Sequence, residues 1–140
     1  MENNEKGTRQ VKTLHFGMIS VEEDYIFHFE NGLLGFDGLR EFVLISDEET
    51  MPFRWLVSID EPTISFPLLS PWLIDLSYKP GKQFDDPNFV LFSIVTLEDD
   101  MGNMTANLKA PIVLNISNQT GEQVILTNDK YSPMAIIPKG

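Results

Sequence analysis

The chain has 140 residues, 42% of them hydrophobic, which is enough for one core and too few for two domains of ordinary size. Cysteine is absent, which excludes a disulfide framework, a thiolate metal site and a cysteine nucleophile. A formal net charge of −11 disfavours direct binding of nucleic acid or anionic membranes and suits a basic protein partner.

Residues 1–10, MENNEKGTRQ, are polar and lack the apolar stretch of a secretory signal. No run approaches the roughly 18 apolar residues that span a bilayer. The expectation is a cytoplasmic protein, monomeric when free, with a flexible tail over residues 1–10 and one domain over 11–140.

From Val11 onward, short apolar runs alternate with acidic or Gly/Pro punctuation. Leu14 to Val21 alternates around Gly17, as two strands or one bulged strand would. Tyr25–Phe29 reads as a strand, and Asn31–Leu39 as a structured loop with a short helical turn near Asp37–Glu41. Phe42–Ile45 reads as a buried strand. Phe53–Asp60 alternates, with Phe53, Trp55, Val57 and Ile59 on one face and Arg54, Leu56, Ser58 and Asp60 on the other. The prolines of Ile64–Leu69 and Pro71–Leu76 predict edge strands.

Tyr78–Asn88 is a loop, and Phe89–Leu97 is apolar enough for a central strand covered on both faces. Ala110–Ile116 and Gln123–Leu126 flank a polar turn and predict a long hairpin, with Pro111 at a strand start or an edge. Met134–Ile137 adds a last short strand. About ten short strands, with at most one or two helical turns, predict an all-β, single-domain, β-barrel-like fold.

Catalytic raw material is scarce. His15 and His28 each sit inside a strand run, so core or surface imidazoles are expected rather than ligands. No Walker sequence, dinucleotide fingerprint or nucleophile elbow occurs. Acidic runs such as Asp47-Glu48-Glu49, Asp60-Glu61 and Glu98-Asp99-Asp100 fall between apolar runs, where carboxylates stay solvated and ionised. No cluster has calcium-loop spacing. The expectation is a non-enzyme without metal or cofactor; the alternative is a small β-barrel enzyme or carbohydrate-binding module using carboxylate pairs.

Several stretches together resemble the flagellar assembly factor FliW family. They include Asn31-Gly32-Leu33-Leu34-Gly35-Phe36, the run Phe53-Arg54-Trp55-Leu56-Val57-Ser58-Ile59-Asp60-Glu61-Pro62, and Leu91–Thr96. The most specific is Thr105-Ala106-Asn107-Leu108-Lys109-Ala110-Pro111-Ile112-Val113-Leu114-Asn115, followed by Gly121–Leu126. The likeness spans about Leu14 to Tyr131. Between Asp75 and Phe89 the family pattern often carries a longer acidic insert with a short helix, whereas this chain is compact there and has two lysines.

The resemblance implies a β-barrel-like regulator that antagonises the RNA-binding translational regulator CsrA and also binds flagellin, so that secretion of flagellin frees it to relieve repression. Charge and expected exposure place the protein-binding surface on an acidic rim of Asp47, Glu48, Glu49, Asp60, Glu61, Glu98 and Asp99 around apolar contacts at Phe53 and Trp72.

Overall fold

The computed structural model describes residues 7–138. Alternating apolar residues between turns form eleven strands. They are β1 (Thr8–Thr13), β2 (Gly17–Glu22), β3 (Ile26–His28), β4 (Glu41–Ser46), β5 (Arg54–Ser58) and β6 (Ser65–Leu69). They continue with β7 (Phe89–Thr96), β8 (Thr105–Ala106), β9 (Ile112–Asn115), β10 (Thr120–Gln123) and β11 (Ala135–Ile136).

The neighbours β7-β6-β5-β4-β3-β10-β9 lead back to β7, so seven strands close into a barrel. β8 and β11 extend the sheet beyond β7. Closure removes the open edges that an all-β protein must otherwise protect. The barrel ladders are antiparallel except β3–β10, which is parallel and pairs only His28 with Thr120. The all-β, barrel-like expectation holds.

Period-2 alternation decides which side chains fill the barrel. Phe27, Phe42, Leu56, Leu68, Phe92, Ile112 and Leu114 come from strands around the whole wall and form the central core. Their neighbours Ile26, Val43 and Val57 point outward, where Val11 and Val21 of the β1–β2 hairpin cover them. β5 is therefore buried on both faces over Leu56–Ser58, although its alternation suggested one buried face.

Four departures have identifiable causes. β1 begins at Thr8, inside the stretch assigned to a tail, because Thr8–Thr13 pairs along the full length of β2; residues 1–6 lie outside the described residues. Among the described residues, complete three-residue 3-10 turns stand at Glu23–Tyr25, Glu48–Thr50, Pro71–Leu73 and Lys82–Phe84, and none falls at Asp37–Glu41. The loop before it is instead pinned by an isolated bridge between Leu33 and Phe36, and the Leu39 N–H donates back to Phe36 O (3.1 Å).

Pro67 lies in a barrel strand rather than on an edge, opposite Trp55. Pairing of β6 to β7 involves only Leu68 and Leu69, so the missing Pro67 N–H disrupts no rung on that side. Pro71 starts a 3-10 turn rather than a strand, with its fixed φ suited to that first position.

A hairpin is present as β9 and β10, joined by Ile116–Gln119, with Pro111 immediately before its first strand; its second strand is Thr120–Gln123, inside the polar stretch read as the turn, and not Gln123–Leu126. The left-handed position belongs to Gln119, at φ 58°. Gly121 serves a different purpose: a Cβ there would fall within the buried ring of Phe29. Backbone bonds from Val124 to Pro111 O (3.0 Å) and from Leu126 to Lys109 O (2.8 Å) carry the pairing beyond the regular ladder.

Candidate functional site

The β4–β5 turn begins with Asp47, whose carboxylate accepts a hydrogen bond from the Glu49 N–H (3.3 Å) and caps the Glu48–Thr50 3-10 turn. Thr50 Oγ1 accepts from the Trp55 indole (2.9 Å), which ties this turn to β5. Glu48 and Glu49 are left exposed. Asp99 organises the turn after β7 in the same way, accepting from the N–H groups of Met101 (2.9 Å) and Asn103 (2.8 Å). Aspartate at the head of a turn satisfies amides that no ladder reaches.

Between these two turns runs a groove of about 510 Å³ lined by Pro52, Phe53, Leu69, Leu97, Met104 and Ile137. Glu98 also lines it. Its floor belongs to the cluster of Leu69, Val95 and Ala106, on which Phe53, Met104 and Ile137 pack. Met51 and Met101, the latter 83% exposed, flank the lining residues Pro52 and Gly102 in the chain. Of the expected binding surface, Phe53 and Glu98 line this groove, whereas Asp47, Glu48, Glu49 and Asp99 do not.

Asp60 and Glu61 do not join it. They follow β5, whereas Phe53 precedes it, a separation of ~15–20 Å along the strand. Asp60 accepts from the Arg40 (2.8 Å) and Glu41 (2.9 Å) N–H groups and so fixes the start of β4. Trp72 sits apart as well, in a hollow with Tyr78, Lys79, Lys82 and Phe84. Leu69, Leu97, Met104 and Ile137 escaped the sequence reading because each belongs to an ordinary apolar run; only their convergence marks them.

Titration shifts lie away from the groove. Hydrogen bonding to Arg9 holds the Glu23 carboxyl below its usual value, and Arg9 also donates to Glu41 (3.0 Å). Hydrogen bonds from Ser77 lower Asp75. Burial raises the Tyr78 phenol, whose hydroxyl donates to Leu108 O (2.8 Å). His15 and His28 are exposed; His15 lies beside Trp55, with ring centroids 6.1 Å apart, and His28 Nδ1 lies 3.5 Å from Glu41. Among the described residues no three His, Cys, Asp or Glu side chains are grouped to hold a metal ion.

The family model described as FliW protein matches residues 10–136. The chain belongs to the FliW family. A flagellar assembly factor FliW from Caldanaerobacter subterraneus subsp. tengcongensis is 42% identical, with 87% of this chain and 88% of the relative covered. One from Thermoanaerobacter pseudethanolicus is 39% identical with the same coverage. A crystal structure of the flagellar assembly factor FliW superposes with a TM-score of 0.83 at 32% identity, covering 94% of this chain and 98% of that one. In this FliW barrel the Thr105–Asn115 motif supplies β8, β9 and the segment joining them along one edge of β7. It acts as scaffold: Ala106 belongs to the cluster beneath the groove, and none of the motif's residues lines it.

Proposed function

We propose that this chain, a flagellar assembly factor, works in the cytoplasm by binding proteins rather than by catalysis. Its first partner is a basic, CsrA-type translational regulator, which it antagonises to relieve repression of flagellin translation. Flagellin is the second partner, and its binding withdraws the factor from the regulator.

The observation that carries this reading is the apolar groove lined by Phe53, Met104 and Glu98 on a chain of net charge −11, with the exposed Glu48 and Glu49 in the turn that leads to Phe53. A basic surface is attracted over long range by the charge and held at close range by desolvated apolar contacts. The capped turns hold the acidic residues in place before a partner arrives, which reduces the ordering cost of binding.

Calorimetry with a purified CsrA-type regulator tests the proposal. Heat of binding and a complex at low salt, both weakened as salt rises, are expected; no heat and no complex at low salt would refute it. Nothing in the site favours the carboxylate-pair enzyme: Asp47, Asp60 and Asp99 are each engaged by backbone N–H groups as caps.

A further inference from the structure

The hollow at Trp72 has the opposite character to the groove. Its floor is an aromatic series fixed by hydrogen bonds. The Trp72 indole donates to Tyr78 O (2.9 Å) and stands edge-on to the Tyr78 ring, with centroids 5.5 Å apart. Tyr78 packs against Tyr131 at 4.6 Å, and Tyr131 Oη accepts from the Lys79 N–H (2.7 Å). Tyr78 and Tyr131 are buried, whereas Trp72 remains 37% exposed. Pro80, Gly81 and Phe84 complete a space of about 350 Å³. That is room for one or two side chains, near the lower limit for a ligand site.

Lys79 and Lys82 line the hollow, and Lys130 lies over the Tyr131 ring at 5.7 Å. Among the described residues these three ammonium groups enter no ion pair. Outside the lining, Asp75 accepts from Ser77 (2.8 Å) and keeps its charge, on which Lys130 acts, and Asp129 pairs with Lys109 (3.3 Å). Asp85 is the one carboxylate among the lining residues. On a chain of net charge −11, the lining of this partly open indole thus sets two lysines against one aspartate.

We propose that this hollow is a second binding site, separate from the acidic groove, which takes an acidic peptide segment bearing one apolar side chain. The apolar side chain seats against Trp72 and Phe84, and the flanking carboxylates meet Lys79 and Lys82. Trp is among the residues that most often anchor an interface. An acidic segment is repelled by the rest of the surface, which directs it to this face.

The test uses the full chain carrying Trp55→Phe, which leaves Trp72 as the single indole, with folding checked by circular dichroism. The probe is a synthetic octapeptide of Asp and Glu around one central leucine. A saturable blue shift of Trp72 emission is expected, weakening with salt and by about tenfold in Lys79→Gln/Lys82→Gln. The same shift in the groove variant Glu98→Lys would show that the site stands independently of the proposed regulator surface.

Several results would overturn the proposal. These are no shift at millimolar peptide, undiminished binding to the double lysine variant, or equal binding of a peptide with serine in place of leucine. An equal response to tripolyphosphate would indicate anion adsorption only. A shift on concentrating the protein alone would assign the hollow to a second copy of the chain.

Discussion

At the scale of single residues, one buried side-chain oxygen among the described residues lacks a partner, and it lies in the barrel wall. Ser93 Oγ is fully buried and forms no hydrogen bond. Desolvating a hydroxyl without compensation is unfavourable, so Ser93→Ala should stabilise the fold by about 1 kcal/mol in urea denaturation. Gly121 has the reverse sensitivity. Because its missing Cβ makes room for the Phe29 ring, Gly121→Ala should destabilise by about 1–3 kcal/mol through overpacking, read in the same titration. Nothing in the sequence distinguishes Gly121 from a turn glycine; the ring above it, Phe29, directly follows β3, about ninety residues away in the chain by position.

At the scale of elements, the β1–β2 hairpin is a separate two-stranded sheet held on the barrel by Val11 and Val21 and by one ionic clasp. Arg9 bridges Glu23 at the end of the hairpin and Glu41 at the start of β4. All three side chains are a quarter or more exposed, so solvent screens the clasp. The Glu23 carboxyl titrates below its unfolded value, so its contribution is full above the ordinary glutamate value of about 4.3. It is lost as pH falls through the lower folded value. Protection of the β1–β2 amides against hydrogen exchange, taken relative to the intrinsic rate at each pH, should therefore fall below that range, and Arg9→Met should remove this acid-dependent component.

At the scale of the whole molecule, net charge and the placement of the two acidic turns govern encounter with a basic partner. Glu48→Lys changes the charge by two units in the turn that leads to Phe53 without touching a buried group. It should slow association with a CsrA-type regulator and flatten its salt dependence in stopped-flow measurements, with a smaller effect on dissociation. The same substitution should leave the urea midpoint nearly unchanged, because exposed surface changes usually stay within about 0.5 kcal/mol.

The sequence by itself determined the all-β class, most strand positions and the family. Those follow from local alternation, turn residues and the Thr105–Asn115 motif, each readable within a dozen neighbouring residues. The tertiary structure alone decided that Pro67 lies within the closed wall, that the N-terminal hairpin begins at Thr8 and covers β5, and that Phe53 meets Glu98 while Asp60 and Trp72 lie elsewhere. Barrel closure and register join residues far apart in the chain, as when β7 meets β9. Exposed carboxylates carry no burial pattern from which their neighbours could be read, so only the folded wall fixes which of them share a surface.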